Sequence, residues 1–297
     1  MRLPLFLTWV QQFVILFTTL CVVALAPCFK QRCPTLFKVF HIESPWLTTF
    51  LRDHLSYLPV ALLFAGQIGF GNYCLREIPI ASYHVSRSTS VLVAVLMTSV
   101  CAGSFPAPPV LWSCVCISLG FLVTSADVNY SNLCLWGYAN GCVASVFGCL
   151  YLQSIKWVMR TRKCAHSTIV LHNTVHLLVL LPLVALLLPK EAPVWRDLHT
   201  IAQYLPHTAD VRDLACLMLL SGLFVTVLPF CTVIAIQQVS PLTLVVAGYV
   251  KSCLQLCAGW FLLGEPRTPL AMVGVVFVFV GSALYARASM NAKVKGE

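Results

Sequence analysis

Nine stretches of this chain are apolar over about the length that crosses a bilayer, and that repetition constrains the fold more than any other feature. A spanning helix needs about 20 apolar residues. The stretches run over 5–26, 54–74, 78–101, 109–125, 134–155, 168–188, 214–235, 240–263 and 269–286. The 109–125 stretch is the shortest and the 78–101 stretch the most polar. None alternates polar with apolar residues, as the strands of an outer-membrane barrel do. Only 10% of the 297 residues are charged, against roughly 25% in an average soluble domain. Mean hydropathy is +0.86. Too few polar groups exist to cover a water-facing surface, so a soluble globule and a disordered chain are both excluded. The predicted class is an all-α integral membrane protein with a single transmembrane domain over 1–297.

The net charge of +9 does not point to nucleic acid, because the cations are scattered between apolar runs rather than gathered on one face. Fifteen cysteines form neither a disulfide framework nor a zinc pattern. Most sit inside apolar runs, where a thiol behaves as a small hydrophobe. The first stretch has a rival reading as a cleaved secretory signal. Arg2 precedes it and Ala24-Leu25-Ala26 ends it, although Gln11-Gln12 interrupts it and it is long for a signal.

The charge in the connections predicts orientation. Of the 19 Lys and Arg residues, eleven fall in the 27–53 connection, the 156–167 connection and the C-terminal tail, and six fall on the opposite side. Seven of the ten acids lie on that opposite side. The positive-inside rule then places the C-terminus in the cytosol. The sequon Asn129-Tyr130-Ser131 lies on the other side, close to the next helix.

Two cations remain, Arg87 and Lys251, and each sits inside an apolar stretch. Lys251 is near the middle of its stretch, about 16 Å from either end at 1.5 Å per residue. A lysine stem cannot reach water over that distance. Such a charge at the bilayer centre costs at least about 2.5–3.5 kcal/mol. Every acid lies in a connection or at a segment end, so none can neutralise it from within a span. The simplest partner is an anion that arrives and leaves, although donation to helix-end carbonyls is an alternative.

Each cation is followed by a proline-containing turn and then by a glycine, Gly120 after Arg87 and Gly281 after Lys251. That parallel suggests two pseudo-repeats, 1–130 and 131–297, with a site between the repeats at the midplane. Candidate pocket groups are His172 and Asn173 at the start of 168–188, with His176 one turn on, and Gly248 and Tyr249 before Lys251. Gly248 would admit a ligand closely and Tyr249 could stack on a base; packing roles are the alternative for each. No acid pair stands out, and His41, His54 and His84 lack metal-ligand spacing, so neither an enzyme, a metal nor a cofactor is expected.

The run Ser240-Pro241-Leu242-Thr243 followed by Gly248-Tyr249-Val250-Lys251 resembles the corresponding stretch of nucleotide-sugar transporters in the drug/metabolite transporter superfamily. Leu263-Gly264-Glu265-Pro266, Gly274, Gly281 and Tyr285 fit that superfamily's last-helix pattern. Residues 4–11, Phe70–Arg76 and Arg87-Ser88 look most like the Golgi branch that carries GDP-fucose. The resemblance implies a ten-helix inverted-repeat antiporter that exchanges a cytosolic nucleotide sugar for a lumenal nucleoside monophosphate. It also implies Asn173, with His172, at the base, and Gly248 and Lys251 at phosphate and sugar, with Arg87 near or supporting the fold.

The chain departs from the pattern in three places. Residue 4 matches the start of the family's second helix, His172 and Thr174 replace a tyrosine and an asparagine, and Ser86 replaces a glycine. A sugar-phosphate/phosphate exchanger of the same superfamily and a non-transporting degenerate paralogue therefore stay open. The oligomeric state, a homodimer included, stays open too.

Overall fold

In the computed structural model, residues 4–29, 46–78, 80–103, 105–124, 134–162, 166–187, 208–262 and 268–294 are described. Among them are nine α-helices and no strand. They are α1 (Pro4–Phe29), α2 (Trp46–Glu77), α3 (Ile80–Ala102), α4 (Pro108–Thr124) and α5 (Leu135–Arg162). The rest are α6 (His166–Leu187), α7 (Thr208–Gln238), α8 (Pro241–Leu262) and α9 (Pro269–Val294). Each apolar stretch of the sequence falls on one helix. Asn129, the 189–207 connection and the last three residues lie outside the described residues.

Seven of these helices are long and apolar enough to cross a membrane. The other two carry shorter apolar lengths, Ser90–Cys101 in α3 and Pro108–Thr124 in α4. Several helices overrun their apolar stretch. α2 begins eight residues before 54, and α5 and α9 continue to Arg162 and Val294. Hydrogen bonding along a helix does not stop where the hydrocarbon stops, and the added turns carry residues such as Arg160 and Arg162 that suit the headgroup zone.

Local chemistry fixes the helix starts. α8 and α9 both open with a hydroxyl residue followed by proline. The Ser240 hydroxyl accepts from the Thr243 N–H at 3.1 Å, and the Thr268 hydroxyl from the Ala271 N–H at 3.2 Å. Each caps an N–H that the helix cannot satisfy, and the proline lacks the N–H that would otherwise be orphaned. Within the spans, hydroxyls donate back to a carbonyl four residues earlier, as Ser99, Thr124, Ser145, Thr174 and Thr226 do. Inside hydrocarbon a polar atom needs such a partner. Phe17, Phe224, Trp112 and Phe261 are each 70% exposed or more, which suits lipid rather than water.

The helices form two compact units. The first holds residues 1–72 and 154–238. In it α1 packs against α6 and α7. Leu5, Ala65, Leu177, Leu181 and Ala185 make its buried centre. Trp9 donates to the Leu178 carbonyl at 2.8 Å, Gln11 to the Ser221 hydroxyl at 2.9 Å, and Thr18 and Thr226 share a bond of 2.9 Å. The whole of Ala24–Ala26 lies within α1.

The second unit holds residues 73–153 and 239–297. Its tightest contact is the antiparallel pair α4 and α9. A Cβ on Gly120 would stand 2.8 Å from the Gly274 carbonyl oxygen, and one on Gly281 would stand 2.8 Å from the Ile117 side chain. Only glycine lets two backbones approach this closely. Around that pair, Val91, Ile117, Phe121, Val246, Cys253 and Val278 build an apolar core. Ser86, where the sequence pattern expects glycine, is buried against Gly141 of α5, and its hydroxyl donates to the Tyr83 carbonyl at 2.8 Å.

Substituting Gly120→Val should wedge α4 from α9 and cost about 1–3 kcal/mol, the usual range for overpacking. The expected readout is a lower thermal midpoint and a smaller monodisperse fraction in detergent. An unchanged midpoint would mean that the two helices are not held at backbone contact.

Candidate functional site

α8 is the helix on which charge and space coincide. Lys251 lies at its middle, ten residues after Pro241 and eleven before Leu262. Its side chain is exposed and makes no ion pair or hydrogen bond among the described residues. Ala247, Gly248, Leu254, Gln255 and Ala258 are exposed on the same side of the helix. A Cβ built on Gly248 meets nothing within 4 Å. The result is a strip with one cation among small, polar and apolar exposed residues, since Leu254, Phe261 and Leu262 continue the same face. An ammonium at this depth cannot face lipid without the cost given above.

Tyr249 sits on the opposite side. Two residues along a helix turn about 200°, whereas the three between Gly248 and Lys251 return to nearly the same face. Tyr249 is buried in the core of its unit, with its ring 4.7 Å from that of Phe121. Its hydroxyl is hydrogen-bonded to Ser90 of α3, and the Ser90 carbonyl accepts from the Cys149 thiol of α5 at 3.3 Å. At the start of α8, Thr243 bonds the Tyr285 hydroxyl of α9 at 2.9 Å. The back of α8 is therefore tied to α3 and α9, which fixes where its exposed strip points. Arg87 lies in α3 one turn before Ser90, and its side chain is outside the described residues.

His172 and Asn173 belong to the first unit, near the start of α6, and both are buried. The His172 ring stacks on Tyr57 of α2, centroids 4.2 Å apart and 13° from parallel. The Arg162 guanidinium lies over the same tyrosine, 5.7 Å from its centroid. His176, one turn on, stacks on His54 of α2 at 3.9 Å. Asn72 donates to Thr8 at 3.4 Å. The polar start of α6 is thus an aromatic and imidazole cluster with a flanking cation.

Sequence reasoning missed Gln255 and set His54 aside for want of metal-ligand spacing. Gln255 follows Lys251 by four residues, and that helical spacing was a usable signal. His54 joins His172 and His176 only through the packing of α2 on α6, which no local spacing announces.

The sequence pattern of the Triose-phosphate Transporter family matches residues 1–286. Among similar proteins, "GDP-fucose transporter 1" of Dictyostelium discoideum is 26% identical over 95% of this chain and 72% of its own length. The protein of the same name in Nematostella vectensis is 25% identical over 96% of this chain and 79% of its own. "GDP-fucose transporter, Golgi" of Drosophila melanogaster is 26% identical over 96% and 80%. One solved crystal structure matches with a TM-score of 0.67 over 95% of this chain and 88% of that one. At 14% identity it speaks for the fold alone.

The two neighbours Gly248 and Tyr249 should respond oppositely to substitution. Gly248→Ala fills open space in a helix interior and should raise stability by about 0.5–1 kcal/mol. Tyr249→Phe loses a buried hydrogen bond and should lower it by about 0.5–1.5 kcal/mol. Thermal melts in detergent test both, and a destabilised Gly248→Ala would mean that the strip is packed.

Proposed function

The chain belongs to the triose-phosphate transporter family, and we propose that within it the protein is a nucleotide-sugar antiporter of the Golgi membrane. It exchanges a cytosolic nucleotide sugar, GDP-fucose as the first candidate, for a lumenal nucleoside monophosphate. The observation that carries this reading is the strip on α8, where an uncompensated cation at mid-helix stands beside open space at Gly248. A nucleotide diphosphate supplies the negative charge that no described side chain supplies. The names of the relatives support both the substrate class and the organelle.

In this reading Lys251 and Gly248 take the phosphates and sugar, with Gln255 one turn on as a further hydrogen-bonding group. Asn173 and His172 read the base. Tyr249 serves by holding α8 to α3, and Arg87 supports the same unit. The C-terminus is cytosolic, in accord with the distribution of cations.

The two pseudo-repeats belong to the same proposal. Each compact unit takes α-helices from both halves of the sequence, α1 and α2 with α6 and α7, and α3 and α4 with α8 and α9. Three pairs offset by five in chain order, α1 with α6, α3 with α8 and α4 with α9, pack together, as α1 also does with α7. These pairs support a duplication. Substrate moves such a protein between states only by binding them unequally, and an anion that neutralises Lys251 does so. Exchange rather than leak follows when the empty, charged strip closes poorly.

A second reading, sugar phosphate exchanged for inorganic phosphate, is favoured by the family's description. It would use Lys251 in the same way and make Asn173 dispensable.

Purified protein in proteoliposomes loaded with GMP, UMP or phosphate, and offered labelled GDP-fucose, GDP-mannose, UDP-sugars or triose phosphate, separates the two. Uptake of GDP-fucose against GMP alone is expected. Lys251→Ala should reduce it at least about tenfold, in line with a charge-assisted contact worth roughly 1.5–3 kcal/mol. Asn173→Ala should weaken discrimination between bases. Uptake of triose phosphate against phosphate, indifferent to Asn173→Ala, would establish the second reading. No uptake of any solute by folded protein would make the chain a non-transporting relative.

A further inference from the structure

The imidazole cluster of the first unit has a chemistry of its own. His54 comes from α2, and His172 and His176 lie one turn apart on α6. One ring nitrogen of each lies within 4.8 Å of the others. His172 and His176 are buried, and His54 is partly so. His172 and His54 have further contacts, so what distinguishes the group is convergence rather than vacancy.

The protonation of His176 can be read from its bonding. Its Nδ1 lies 2.6 Å from the His172 carbonyl oxygen. A carbonyl only accepts, so this nitrogen carries the hydrogen. Nε2 is then the atom left to present a lone pair; it is buried and makes no well-aligned hydrogen bond among the described residues, although the His54 backbone also lies close to this imidazole. A backbone carbonyl that fixes the far nitrogen of a histidine is the usual way in which a metal-ligating imidazole is oriented. The Tyr57 ring, stacked on His172, restrains the second imidazole.

We propose that His54, His172 and His176 form a binding site for a divalent transition-metal ion of the zinc type, in which His172 serves the ion and Asn173 alone is left to read the base. Neutral imidazoles suit zinc, copper and nickel, whereas magnesium and calcium require oxygen ligands. Three protein nitrogens leave a fourth position open to water or to an anion. Metal–nitrogen bonds are about 2.0–2.1 Å, so the three nitrogens have to close by no more than about 1.5 Å. One ring must also turn. His54 and His176 are stacked within 12° of parallel, and two stacked rings cannot share an ion that lies in both planes. His54, the most exposed of the three, is the ring that turns out of the stack. The ion would tie α2 to α6 and stiffen the first unit.

Cobalt(II) titrated into the full chain in detergent, without nucleotide, tests the site apart from any transport reading. One equivalent should bind with visible d–d bands of a low-coordinate site and no strong sulfur charge-transfer band in the near ultraviolet. Zinc should displace it and raise the thermal midpoint. H54Q and H176Q should each weaken binding more than about tenfold, a loss at least as large as that of an outer-shell partner. Their midpoints in chelator report folding, and H54A, at the half-buried position, serves if H176Q fails to fold. Absence of stoichiometric binding, binding unchanged in the folded variants, or bands typical of thiolate ligation by the chain's cysteines would each overturn the proposal.

Discussion

The structure depends on one constraint, that hydrocarbon offers nothing to hydrogen-bond with. Each span must satisfy its own backbone, which leaves the helix as the available element. Several side chains follow the same rule. Ser99, Thr124, Ser145 and Thr174 return their hydroxyls to their own helix. A few groups instead bond across helices, such as Trp9 to Leu178 and Thr243 to Tyr285. Association between spans then rests on close shape, and glycine at 120, 274 and 281 supplies the closest approach.

Against that background Lys251 is the charged exception, alongside the buried hydroxyls of Thr19, Thr98, Ser118 and Ser282, which have no partner among the described residues. The lysine has no partner of either kind among the described residues, and the helix carrying it is anchored from behind by Tyr249 and Thr243. Stability and exposure are divided between two faces of one helix. The buried face fixes position, and the exposed strip is left uncommitted. Such a division lets a binding surface change its occupant without repacking the protein that holds it.

Much of this was legible in the sequence. Nine apolar stretches were visible because about 20 residues of hydrocarbon length leave a long, uniform signal. Their ends were less so, since α2 begins at Trp46 and α9 runs to Val294, where polar residues continue a helix beyond the lipid. Lys251 was legible because a charge in an apolar run is costly wherever it points. That it points out of its unit while Tyr249 points in follows from helical geometry, but only the packing of α3 says which face is which. His54 beside His176 was not legible. Their encounter depends on how α2 lies along α6, and a pattern confined to one helix carries no information about that.

The hydroxyls that fold back on their own helices have a consequence for how the chain is made. A segment whose polar atoms are already quenched by the preceding turn is ready for lipid before any neighbour arrives. Membrane entry can therefore run segment by segment during synthesis, with lateral assembly as a separate, later event. The spans whose polar atoms must wait for a partner are the ones whose arrival order matters. α1 is the first of these, because Trp9 and Gln11 find their acceptors on α6 and α7, which are made long after it.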